Sequence, residues 1–239
     1  MKDADMKARL KELYLPPAKD FVLVDVPEMR YIMIDGRGAA DRSALDHAVK
    51  WLFAVVYPIK RIARERMGKN FVEPPLEGLW WADDMQDFIC GNRDKLNWRM
   101  MIVYEPDWLT AEMFEDAVVT AKVRLGEPPA LDTADRASLG DRRAIRAAKR
   151  HPLSQGPANL RLESYHEGPS AQIMHVGPPS AEAPTIARLH REFLPVHKLI
   201  PNGYHHEIYL NDPNRVAPEK LKTVLRQPVR SVVLSARNS

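Results

Sequence analysis

Hydrophobic and polar positions alternate in two stretches that mirror each other along the chain. Met29 to Gly38, MRYIMIDGRG, and Ser170 to Pro179, SAQIMHVGPP, each carry Ile-Met in a β-prone run that stops at a glycine. Each follows another strand-like run, FVLVDV from Phe21 and LRLESY from Leu160, across residues of turn character: Pro27-Glu28 in one copy, Glu167-Gly168-Pro169 in the other. Alternation bounded by such residues predicts two β-hairpins.

A helical pattern follows each predicted hairpin. Leu45, Val49, Leu52, Val56 and Ile59 recur at three-and-four spacing, with Ser43 as N-cap and Pro58 expected to kink or loosen the helix. In the second copy Ser180 is the expected cap of a shorter helix carrying Ile186, Leu189, Phe193 and Val196 on one face. Two more strand-like runs come next in both copies: LEGLWW and then NWRMMIVYE from Asn97, and YHHEIYL and then TVLRQPV from Thr223. The chain therefore reads as a duplicated α+β module in one domain, with repeat one at about 19–106 and repeat two at about 159–230. Between them lie a helix from roughly Thr110 to Arg124, capped by Thr110 with Met113, Ala117 and Ala121 on one stripe, and an insert rich in proline and glycine.

Composition narrows the function classes. With 239 residues, 45% of them apolar, the chain can bury a substantial core, and a net charge of +3 gives no bulk argument for nucleic acid or an anionic membrane. The single cysteine, Cys90, excludes an intramolecular disulfide and cysteine-rich metal sites. The charged N-terminus lacks the apolar core of a secretory signal, and no run approaches the ~18 apolar residues of a membrane span. A cytoplasmic protein without membrane contact is expected. In the insert, RASLGDRRAIRAAKR sets six Lys/Arg against the lone Asp141. It reads either as a nucleic-acid or acidic-lipid patch or as a solvated insert with a short surface helix. Without interleaved aromatics the solvated reading is preferred, and nucleic acid is not an expected partner.

The densest chemistry lies in GYHHEIYL. Alternation puts His205, Glu207 and Tyr209 on one strand face and His206, Ile208 and Leu210 on the other. Three readings stand: an exposed face that solvates these groups, a metal site completed by His175 or His166, and a pocket with Glu207 at its floor and aromatic walls. No ligand spacing supports the metal reading. A carboxylate among aromatic rings is a coherent trap for cations and flat ligands, and desolvation would let it work as a general acid or base. Trp80 and Trp81 of LEGLWW point to opposite faces, so one is the expected ligand contact and the other packs; core packing of both is the competing reading. No nucleophile elbow, P-loop or dinucleotide fingerprint is present, and Cys90 has no base beside it in sequence. His47, His190 and His197 sit on predicted helices and read as surface residues. No cofactor or metal is expected.

Taken together, VDVPEMRYIMIDGRG, PPLEGLWW, NWRMMIVYEP, QIMHVGP, HHEIYLNDP and APEKLKTVLRQPV resemble the GyrI-like small-molecule-binding family, in its stand-alone group without a DNA-binding domain. The likeness runs from about Lys11 to Arg230. It implies two pseudo-symmetric strand-helix-strand-strand repeats, a curved antiparallel sheet with helices on one side, and a central ligand groove. Relatives bind lipophilic cations at an acidic residue in an aromatic cavity, and a subfamily hydrolyses cyclopropane-bearing DNA-alkylating compounds. Carried onto this chain, the resemblance implies an aromatic cage, with Glu207, His205 and Tyr209 as catalytic residues and Trp80, Trp81, Tyr57, Tyr165 and Met174 as ligand contacts. The expected ligand is a small lipophilic or cationic aromatic xenobiotic, and the expected role is self-protection, detoxification or antibiotic resistance. A non-catalytic drug sponge or sensor is the alternative, and inhibition of a partner such as a topoisomerase is a third reading. Two features depart from the family pattern: the long basic insert around Asp132 to Arg150, and Pro58 beside Tyr57 and Lys60.

Overall fold

A computed structural model describes residues 11–38, 42–84, 87, 92–105, 108–129 and 159–232. Cys90 and the basic run of the insert lie outside the described residues. The chain forms two compact units, one of residues 28–166 and one of residues 1–27 together with 167–239.

In the unit of residues 28–166, strand β3 (Asn97–Val103) is central. It pairs antiparallel with β1 (Val22–Arg37), from Tyr31↔Val103 to Arg37↔Asn97, and with β2 (Leu76–Trp81), from Leu76↔Ile102 to Trp81↔Asn97. This register sorts the side chains. Ile32, Ile34, Met100, Ile102, Trp98 and Trp80 share one face; Met33, Asp35, Arg99, Asn97, Glu77, Leu79 and Trp81 share the other. Trp98 lies flat on Gly36, where an added Cβ would come within 2.1 Å of the indole, and its Nε1 donates to the Gly38 carbonyl at 2.8 Å. On the opposite face Asp35 accepts from Arg99 Nε at 2.6 Å and Arg161 Nη2 at 3.0 Å. Burial alone would raise this carboxyl, but the Arg161 and Arg99 guanidiniums outweigh it and hold it at about 2.

Helix α1 (Ser43–Met67) buries Leu45, Ala48, Trp51, Leu52, Val55, Val56, Ile59 and Ala63 and packs on α2 (Ala111–Leu125) and β3. Two expectations for it are corrected. Ser43 is the first helical residue, and the cap position belongs to Arg42, in the left-handed conformation with φ 59°. The helix also runs unbroken through Pro58, because buried side chains on both flanks, Val55, Val56, Ile59 and Ala63, hold its two halves to one stripe. Helix α2 follows its expected signal, with Thr110 Oγ1 accepting from the Met113 amide at 3.2 Å, although Phe114 rather than Met113 joins Ala117 and Ala121 in the buried stripe.

In the other unit β7 (Lys222–Ser231) is central. It pairs antiparallel with β4 (Arg161–Val176), from Ser170↔Pro228 to Val176↔Lys222, and with β6 (His205–Tyr209), from His206↔Arg226 to Tyr209↔Thr223; the short β5 (Leu199–Pro201) pairs with its last residues. Helix α3 comprises Ala183–Arg188, a π turn at Leu189–Phe193 and a last turn at Leu194–Val196. Leu189 and Leu194 pack with Ala171 and Val229. They are five residues apart, which fits the wider π spacing and turns Val196 outward to 76% exposure, against the expected stripe. Ser180 lies inside a 3-10 turn, Pro179–Ala181, and Glu182 rather than Ser180 stands at the head of α3.

The predicted hairpins are instead two continuous strands, since β1 and β4 each run 16 residues. Pro27 satisfies an extended backbone as well as a turn, and Gly168, at φ 72°, absorbs a local irregularity within the strand. The residues read as turns mark the boundaries between the units, at Pro27/Glu28 and His166/Glu167. Glu167 begins the second unit's buried network. It accepts from His206 Nδ1 at 3.0 Å and Arg226 Nη1 at 3.0 Å, while Arg226 also donates to Gln172 Oε1 at 2.9 Å and the Leu13 carbonyl at 2.6 Å. Burial pushes the Glu167 carboxyl up, but His206 and Arg226 hold it at about 2. The order strand, helix, strand, strand thus recurs with antiparallel pairing in both units, giving the α+β class expected from the pattern.

Gly36→Ala should destabilise the protein by about 1–3 kcal/mol in urea unfolding, because the indole of Trp98 has to move off the sheet. Asp35 and Glu167 have folded values below their ordinary 3.8 and 4.5, so their stabilisation is present above those values and is lost as pH falls toward about 2. Equilibrium unfolding between neutral and acid pH should show that decline.

Candidate functional site

The second unit's sheet offers two faces, and both are covered. On one face His206, Arg226 and Gln172 stand side by side in register and close around Glu167. The other carries Ala171 and Val229 beneath α3, and alternation puts Ile173, Leu225, His205, Glu207, Tyr209 and Thr223 on that same side. This second face is the candidate site.

Here the charges are settled differently. Tyr209 donates its phenol hydrogen to Glu207 Oε2 at 2.8 Å, and His205 Nε2 lies 3.6 Å from Glu207 Oε1. The Glu207 side chain is only 13% exposed, which removes the reading of an open, solvated face. Glu182, 4% exposed, approaches from the head of α3. Burial raises its carboxyl most, the charge of Glu207 raises it further, and a hydrogen bond from Thr223 offsets part of the effect, leaving it at about 8. Near neutral pH Glu182 therefore keeps its proton beside a second carboxyl, a juxtaposition also found in acid-base sites. His190 reaches the same cluster from the π turn. Its burial lowers its pKa, and the neighbouring His205 adds to the effect, so it is not the surface residue the helical pattern suggests.

The remaining expected residues are placed as follows. Met174 packs with Ile208 and Val224 on the opposite face of the same sheet, next to Tyr14 and Leu210. Trp80, Trp81, Tyr57 and Tyr165 belong to the other unit. There Trp80 is partly open and stands across from Trp98, while Trp81 is 7% exposed on the face of Asn97 and Leu79. Tyr57 is 53% exposed on α1 and stacks on Phe53 at 5.8 Å, and Tyr165 is buried edge-on to Tyr31 at 6.4 Å. His175, one of the two histidines considered for a metal, has its Nε2 3.3 Å from the Pro178 carbonyl, and no group of three metal-ligating side chains occurs among the described residues.

Glu182 and Thr223 escaped the reading of the sequence. An acid at the head of a helix is ordinarily explained by the helix dipole, so the pattern around SAEAP hides a carboxyl whose neighbour lies on a later strand.

A family model for the GyrI-like small molecule binding domain matches residues 132–230. No curated protein matches the chain. Among solved structures, an uncharacterized conserved protein from Listeria innocua is similar at a TM-score of 0.70, with 32% sequence identity over 94% of this chain and 98% of its own. A hydrolase from Listeria innocua is similar at a TM-score of 0.66, with 31% identity and the same coverage of each chain. None of the described helices is long and apolar enough to cross a membrane.

The raised pKa of Glu182 has a consequence for stability. Between its ordinary 4.5 and about 8 the folded protein keeps a proton that the unfolded chain has released, so stability should fall as pH rises through that window. Glu207→Gln removes the like charge and should flatten the decline. Carboxyl-carbon NMR should show Glu182 titrating at lower pH in that variant than in wild type.

Proposed function

Because the chain belongs to the GyrI-like small-molecule-binding family, we propose that it captures flat, lipophilic small molecules and adds water across an electrophilic, strained ring such as a cyclopropane. The observation that carries this reading is the Tyr209 to Glu207 hydrogen bond of 2.8 Å on a largely buried face, with His205 beside the same carboxylate. In that setting Glu207 takes a proton from the attacking water while Tyr209 fixes the carboxylate's orientation. His205 lies beside the opposite carboxylate oxygen, at 3.6 Å. Removal of the reacting atoms from solvent strengthens each of these contacts.

Similarity to a hydrolase over nearly the full length of both chains supports hydrolysis as the reaction class. Ring opening asks little of a protein, because strain supplies driving force and the site has only to deliver water and manage protons. The biological role that follows is protection against alkylating compounds.

The test uses a spirocyclopropyl cyclohexadienone. Wild-type protein should convert it to a product heavier by one water, detected by mass spectrometry, and Glu207→Gln should bind it while turnover drops by about 100-fold or more. Recovery of unaltered compound from wild type, with binding intact, would instead identify a sponge or sensor.

A further inference from the structure

The hydrolysis reading employs Glu207 but gives no task to Glu182, the most unusual buried group of the molecule. Its carboxyl is 4% exposed, Oε1 has no hydrogen-bond partner among the described residues, and Thr223 holds the group in place. The charged neighbour is another carboxylate, Glu207, whose own ion-pairing partner among the described residues is His205 rather than a lysine or arginine. Elsewhere in the fold the solution is different: Asp35 has two arginines, and Glu167 has an arginine and a histidine. A carboxyl left without a cation in a dry corner serves best as a donor, since the protonated form avoids the cost of a second buried charge. A donor beside an acceptor suits a ligand that offers both a carbonyl oxygen and an electrophilic carbon.

We propose that Glu182 is the hydrogen-bond and proton donor of the site, directed at the carbonyl oxygen of a dienone-activated three-membered ring; this assignment rests on the hydrolysis reading for its chemical step. In that step the water oxygen bonds to a ring methylene and the ring carbon–carbon bond breaks. Its electron pair passes through the conjugated system to the carbonyl oxygen, which takes the Glu182 proton and becomes a phenol. The attacking water gives its proton to Glu207. The two carboxyl groups have then exchanged protonation states at constant total charge, and transfer of the proton from Glu207 back to Glu182 resets the site. The sum is addition of one water.

The other titratable groups on this face are His205 and Tyr209 of β6, His190 of α3 and His175 of β4, and the experiment separates them from Glu182. Binding of a gem-dimethyl cyclohexadienone, which keeps the carbonyl and has no cyclopropane, is measured from about pH 7 to about pH 9. Wild type should lose about tenfold in affinity across that range, whereas Glu182→Gln, whose amide still donates, should bind equally throughout. Turnover of the spirocyclopropyl compound by wild type should fall along the same alkaline limb, and Glu182→Gln should be slower by about 100-fold with no limb. Carboxyl-carbon NMR of wild type should show the dienone shifting the Glu182 signal. Wild-type binding that ignores pH, or an alkaline limb that persists in Glu182→Gln, overturns the assignment. A wild type that binds the dienone with the expected limb yet leaves the cyclopropane intact supports the donor and refutes the hydrolysis reading.

Discussion

Strand alternation forces each residue of β7 onto one of two faces, and in this unit both faces are covered. A charge placed on either has to be settled within the protein. On one face the settlement is complete: Glu167 meets Arg226 and His206, and the remaining Arg226 donors reach Gln172 and the backbone of Leu13. On the other it is left incomplete, with Glu182 and Glu207 close together and histidines as the nearby bases. The face on which a side chain falls thus separates a complete ion network from a carboxyl pair without a lysine or arginine partner among the described residues.

The clamped carboxylates explain why incomplete compensation is informative. The unit of residues 28–166 also buries an acid, Asp35, between Arg99 and Arg161, and ties the backbone around it to Asn159. Burying an ion costs several kcal/mol unless partners answer it, and both units answer theirs with paired cations. Against that habit, a buried glutamate whose charged neighbour is another glutamate carries a cost of the kind that active sites retain.

The fold was legible wherever the signal was local. Alternation marked β2, β3, β6 and β7, and the Thr110 cap fixed the start of α2. Errors arose where one local signal allows two structures. Pro27 and Gly168 fit a turn or an irregular strand, and only the pairing of β1 and β4 decides between them. The π turn was hidden because a one-residue change of phase is fixed by where Ala171 and Val229 receive Leu189 and Leu194. For the site, the shared face of His205, Glu207 and Tyr209 followed from period two alone. Glu182 did not, because its character comes first from burial and then from a carboxylate 25 positions later in the chain, neither of which its local pattern shows.

The division of the chain into residues 28–166 on one hand, and 1–27 with 167–239 on the other, bears on how the protein is made. A ribosome finishes every residue of the first unit before it has begun the larger part of the second. Leu13 precedes that first unit in the chain, yet its partner Arg226 follows it. That contact can therefore form only after the whole intervening unit has been synthesised. The carboxyl pair, assembled from α3 and β6, likewise arises only from chain made after the unit of residues 28–166.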